Sequence, residues 1–82
     1  MIEVVYFAWL RERIGVPREQ VDTQARTVAD FVAELSAREE RYALAFADLA
    51  SVRVAIDQEL ASFDAKLSGV REVAFFPPMT GG

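Results

Sequence analysis

The chain has no cysteine and no histidine among its 82 residues, and of its nine basic residues eight are arginine. Without cysteine there is no thiolate nucleophile and no soft metal ligand, and without histidine the ordinary imidazole base is missing too, so no metal site is expected. Covalent chemistry, if the chain takes part in any, has to use another group. The absence of cysteine leaves the redox compartment open. No apolar run nears the roughly 18 residues of a membrane span and no signal-like segment is present, which predicts a cytoplasmic protein with no membrane partner. The formal net charge is −4 and the basic residues are scattered. Such a surface repels phosphate backbones, so no nucleic acid is expected, and it is better suited to a basic protein surface.

What the chain does have is apolar bulk, at 52% of its residues, with six Phe, two Tyr and one Trp. That is enough for one small domain to fold without disulfide or metal staples, and some of it can be reserved for a partner. No internal repeat, linker or low-complexity tract interrupts the chain.

Ile2 to Ala8 is rich in β-branched and aromatic residues with little polar face, the pattern of a strand in the middle of a sheet. Trp9 to Ile14 spaces Leu10 and Ile14 for a short helix, with Gly15 at the expected C-terminal cap. After a loop at Val16-Pro17-Arg18, Glu19 to Thr23 predicts a mostly polar edge strand. Thr27 and Asp30 have capping spacing for the main helix, whose Val28, Phe31, Val32 and Leu35 form an apolar stripe. A second helical stretch from Glu39 to Ala50 carries Tyr42, Ala45, Phe46 and Leu49, and Arg38 to Arg41 between the two is expected to be a solvated face or bend. Val52 to Ile56 alternates as a strand with Val52, Val54 and Ile56 inward, and Asp57-Gln58-Glu59 is a turn candidate. Ser62 to Leu67 has no clear period, Ser68-Gly69 starts another turn, and Glu72 to Phe76 predicts a buried strand ended by Pro77-Pro78.

The order is strand, short helix, strand, main helix, helix, strand, turn, strand. With the first and last strands the most apolar, it fits an α+β, β-grasp arrangement: a mixed sheet with those two strands central and the main helix across one face. Residues 1–76 form the domain and residues 77–82 an extended, flexible tail. Pro77-Pro78 favours a stiff, extended exit, the six residues to Gly82 reach at most about 20 Å, and Gly81-Gly82 has no Cβ to block a narrow channel. The terminal carboxylate of Gly82 is inert until activated. Attack on the α-phosphate of ATP held by a partner enzyme gives an acyl-adenylate, and displacement of AMP by a sulfur donor gives a thiocarboxylate, with no cysteine required in this chain. Phe75 and Phe76 point to opposite sheet faces, one into the core and the other available as an anchor for a partner.

Three segments resemble the small, sulfur-carrying subunit of molybdopterin synthase. They are Val4 to Gly15, Ser62-Phe63-Asp64, and the closing run Glu72-Val73-Ala74-Phe75-Phe76-Pro77-Pro78-Met79-Thr80-Gly81-Gly82. The resemblance implies a ubiquitin-like fold, adenylation of Gly82 by a ubiquitin-activating-like adenylyltransferase using ATP and Mg, and transfer of sulfur from a donor protein. It further implies insertion of the tail into the large synthase subunit, a heterotetramer with that subunit, and delivery of sulfur to cyclic pyranopterin monophosphate for molybdenum cofactor. In that scheme Gly82 carries the sulfur and Gly81 gives access. Phe76, Leu60, Arg11, Pro77, Pro78, Met79 and Thr80 meet partners, and the chain binds no cofactor itself. It is a sulfur-donating subunit rather than a stand-alone catalyst. The chain departs from the family at Ser68 to Arg71, where Asp-Gly-Asp is frequent, and at Asp57, where Asn is frequent; both are turn positions. A thiamine-pathway carrier, a protein modifier joined to lysines through Gly82, and a plain binding domain with an unused tail are the alternatives.

Overall fold

A computed structural model describes residues 1–78. The expectations that fall on Met79, Thr80, Gly81 and Gly82 lie outside the described residues. Five strands form one mixed sheet in the order β2-β1-β5-β3-β4, made of β1 (Ile2–Tyr6), β2 (Arg18–Val21), β3 (Arg53–Ile56), β4 (Glu59–Ala61) and β5 (Glu72–Phe76). β1 and β5 pair in parallel, with Val4 opposite Val73 and Tyr6 opposite Phe75, while β2, β3 and β4 join antiparallel. The first and last strands are therefore adjacent and interior, as their apolar runs predict. The sheet is that of a ubiquitin-like β-grasp domain.

Three helices cover one face: α1 (Ala8–Ile14), α2 (Val28–Arg38) and α3 (Glu40–Ala45). α2 begins where the Thr27 hydroxyl accepts from the Asp30 N–H, and it buries Val28, Phe31, Val32 and Leu35. α1 stops at Gly15, whose φ of 97° is left-handed and whose N–H donates to the Arg11 carbonyl, a cap that only glycine adopts without strain. The core between helices and sheet collects Tyr6, Leu10, Phe31, Phe46, Val54 and Phe75, with Phe46 edge-on to Phe75 at 4.9 Å between ring centroids. Among the described residues no helix is long and apolar enough to cross a membrane.

The structure corrects the sequence reading at several places. Glu59 starts a strand rather than completing a turn, so the sheet has five strands instead of four. The turn uses only Asp57 and Gln58, both with positive φ, 48° and 72°, as a two-residue hairpin requires. Because a side chain is strained there, Gln58→Gly is expected to raise stability by about 0.5–1 kcal/mol. A thermal melt checks it, through a rise of about 2–6 °C. The second helical stretch ends at Ala45, and Leu49 belongs to a separate 3₁₀ turn (Leu49–Ser51) and is exposed. β1 ends at Tyr6, leaving Phe7 and Ala8 outside it, β2 runs one residue earlier at its start and stops at Val21, and Val52 is buried just ahead of β3.

Arg41 is the other departure, since its partly exposed side chain is tied into the fold rather than simply solvated. Its Nη1 donates to the Ile14 carbonyl at 2.6 Å and its Nη2 to the Tyr42 hydroxyl at 3.2 Å. The Tyr42 and Tyr6 hydroxyls both donate to one oxygen of Glu19, at 2.6 and 2.7 Å. A carboxylate on β2 thus ties β1 and α3 together under the guanidinium. Burial first, then the hydrogen bond to Glu19, pushes the Tyr42 phenol up to about 12, and the same two causes push Tyr6 upward. In the unfolded chain both phenols titrate near 10. Above that pH the unfolded state binds fewer protons than the folded one, so stability present below about pH 10 is lost as pH rises toward 12. Melting temperatures over this range should fall for the natural chain and fall less steeply for Tyr42→Phe.

Candidate functional site

The face of the sheet away from the helices is open, and strand alternation decides what it carries. Ile2, Val4 and Tyr6 of β1 point to the core, so Glu3 and Val5 point outward, as do Ala74 and Phe76 from β5 and Ala55 from β3. Phe7 continues the outward set. Its N–H donates to the Phe75 carbonyl, and Ala8, at a left-handed φ of 53°, turns the chain into α1 and leaves the Phe7 ring 48% exposed. Phe7 and Phe76 wall a shallow depression of about 400 Å³ whose floor is Val5, Ala55 and Ala74 and whose rim includes Arg18 and Glu72.

Leu60 belongs to the same surface. It sits opposite Ala55 in the β3–β4 ladder and is 78% exposed, an apolar side chain that nothing among the described residues covers. Polar groups border the apolar strip: Glu3 and Arg18 pair loosely at 3.8 Å, and Arg53, opposite Phe76 in the ladder, donates from Nη1 to the Ala50 and Val52 carbonyls. An apolar centre with a charged rim is the composition of a protein-docking surface.

Of the sequence-predicted residues, Phe76 and Leu60 are brought onto one face. Phe75 is fully buried, which settles which ring of the aromatic pair belongs to the core. Pro77 and Pro78 follow Phe76 directly, half-buried, so the chain leaves the sheet beside the Phe7–Phe76 depression. Arg11 is exposed on α1, across the sheet from this surface and outside the depression. Met79, Thr80, Gly81 and Gly82 lie outside the described residues. Phe7 is the residue that sequence reasoning missed; extending the in-out alternation of β1 by one position would have found it. Among the described residues no group of side chains is placed to hold a metal ion.

The fold and the open face define the class, a ubiquitin-like β-grasp domain whose last strand hands the chain on beside an apolar docking surface. Comparison with known proteins agrees. The model of the ThiS family matches residues 4–82. Over the full length of both chains this one is 42% identical to the molybdopterin synthase sulfur carrier subunit of Escherichia coli (strain K12) and 35% identical to that of Haemophilus influenzae. Among solved structures it is similar to SAMP1 from Haloferax volcanii, with a TM-score of 0.72 and 25% identity, covering 99% of this chain and 98% of that one. The chain belongs to the ThiS family, in which it stands beside the molybdopterin synthase sulfur carrier subunits.

Proposed function

We propose that this chain is the sulfur carrier subunit of a cytoplasmic molybdopterin synthase. The observation that carries the reading is the full-length match, at 42% identity, to a protein of that name. The depression beside the end of β5 supports it, because a carrier that inserts its tail into a partner needs a docking surface next to the point where the tail departs.

The chemistry follows from the residues at the tail. The Gly82 carboxylate attacks the α-phosphate of ATP, bound with Mg by a ubiquitin-activating-like enzyme, and pyrophosphate leaves. Hydrosulfide-level sulfur released by a donor protein then attacks the acyl carbon; a C–S bond forms as the C–O bond to AMP breaks, AMP leaves with the bonding pair, and a thiocarboxylate remains. Gly81, Thr80 and Met79 thread the partner's channel, Pro77 and Pro78 hold the exit extended, and the large synthase subunit receives the sulfur for cyclic pyranopterin monophosphate within a heterotetramer. The chain itself binds no cofactor and supplies no acid or base.

Intact mass after incubation with ATP, the activating enzyme and a sulfur source tests this. One oxygen replaced by sulfur at Gly82 is the expected result, and an unchanged mass with active partners overturns it. The docking surface is tested separately. Phe76→Ala and Leu60→Ala should each weaken binding to the large subunit by about 1–2 kcal/mol, the range for an apolar anchor near the centre of an interface, with calorimetric titration as the readout. Arg11→Ala, on the far side of the sheet, reports whether the contact extends around the end of the domain.

A further inference from the structure

Residues paired between neighbouring strands share a face, so the open side of the sheet is laid out in rows that run across it. At the end where the chain departs, Phe76 stands opposite Arg53. The next row is Arg18, Val5, Ala74, Ala55 and Leu60, the apolar floor of the depression with one cation and one exposed leucine at its ends. The third row is Gln20, Glu3 and Glu72. Beside Glu72 lies Asp57, whose carboxylate accepts from the Arg71 and Glu72 N–H groups at 3.1 and 2.9 Å.

Glu3 and Glu72 are thus direct partners on the two central strands, about 4.8 Å apart at the backbone. Like charges in that relation cost folding stability, and the domain does little to offset it. Arg18 reaches Glu3 only at 3.8 Å, with 60% of its own side chain exposed. The Glu72 carboxylate, half-buried on the rim of the depression, makes no hydrogen bond or ion pair among the described residues. Arg71, its neighbour in the chain, pairs with no carboxylate among them either. The open face is therefore polarised, with arginine at the tail end, an apolar middle, and an uncompensated carboxylate pair at the far end.

We infer that the Glu3–Glu72 pair orients the docked partner: the large synthase subunit sets a lysine or arginine over these two carboxylates when its apolar surface fills the depression. The inference rests on the functional reading given above. A cation there meets the charge that the free domain leaves unbalanced, and desolvating Glu72 without one would be costly. Position adds direction. Glu72 lies four residues before Phe76, about 13 Å along β5, so the partner's cation and the start of the tail occupy opposite ends of the contact. A partner turned end for end would bring that cation against Arg53, where like charge rejects it.

The test compares the natural chain with Glu72→Gln and with Glu40→Gln, an equal change of charge at an exposed position on α3. Affinity for the purified large subunit and for the activating enzyme is measured by calorimetric titration at low and high salt, and each free chain is melted. Glu72→Gln is expected to bind the large subunit about tenfold more weakly, with a smaller salt dependence. Its own melting temperature should rise by about 1–4 °C, because the repulsion is gone. The opposite signs separate docking from a structural role. Unchanged or tighter binding of Glu72→Gln, an equal loss in Glu40→Gln, or a melting temperature that falls together with affinity overturns the inference. So does a loss confined to the activating enzyme, which would make that enzyme the occupant. No binding of the natural chain to the large subunit overturns the functional reading itself.

Discussion

Phe75→Ala is expected to remove about 3–5 kcal/mol of folding stability, whereas Phe76→Ala, one residue further on, costs less than about 1 kcal/mol. Phe75 has no exposed surface, and its ring lies 6.2 Å from Tyr6 and 4.9 Å from Phe46 between centroids. Truncation leaves a hole where the central strand meets the helices, and the partners cannot all move in to fill it. A domain of this length has a total stability of about 4–12 kcal/mol, so the variant is marginal or unfolded. Urea denaturation reads the effect as a lower midpoint with an unchanged slope. A loss below about 1 kcal/mol for Phe75→Ala would show that the core closes over the hole, against the packing described above.

On the proposed function, Gly82→Ala is expected to carry the largest functional effect, a drop of about 100-fold in the rate of adenylation with the melting temperature unchanged. Displacing a reacting group by the size of a methyl is enough to cost that much when its approach geometry is set by a narrow channel. The position lies beyond the last strand and Pro77-Pro78, so no core contact of the described domain depends on it. The rate of pyrophosphate release with the activating enzyme measures the first quantity and a thermal melt the second. Parallel loss of fold and rate would refute the division of the chain into a domain and a working tail.

Most of the sheet was legible because its decisive signals are local. Glu72 to Phe76 is apolar, β-prone and cut off by two prolines, and Val28, Phe31, Val32 and Leu35 repeat at helical spacing behind a Thr27 cap. β4 was not legible, since three residues with an exposed leucine acquire strand identity only by pairing with β3 across a turn that lacks glycine. Arg41 was hidden for a related reason. Its acceptor on Ile14 is 27 residues away, and no periodicity encodes such a contact. At the site, Phe76 and Leu60 came from family resemblance, and the structure supplies what resemblance does not, their shared face. Phe7 escaped because an apolar residue at the end of an apolar strand looks like core until the in-out alternation is followed to its end.

The parallel pairing of β1 with β5 also decides how the domain carries mechanical load. A pull on Pro77 runs along β5, and because Glu3 to Tyr6 face Glu72 to Phe75 in the same direction, that tension is met by the whole β1–β5 ladder in shear. The bonds must yield together; they cannot be unzipped one after another from an end. On its other side β5 is held by β3, so the strand is braced from both flanks. A partner that grips the tail and tugs, or a complex that separates after transfer, strains its own contacts before it draws the last strand out of this sheet.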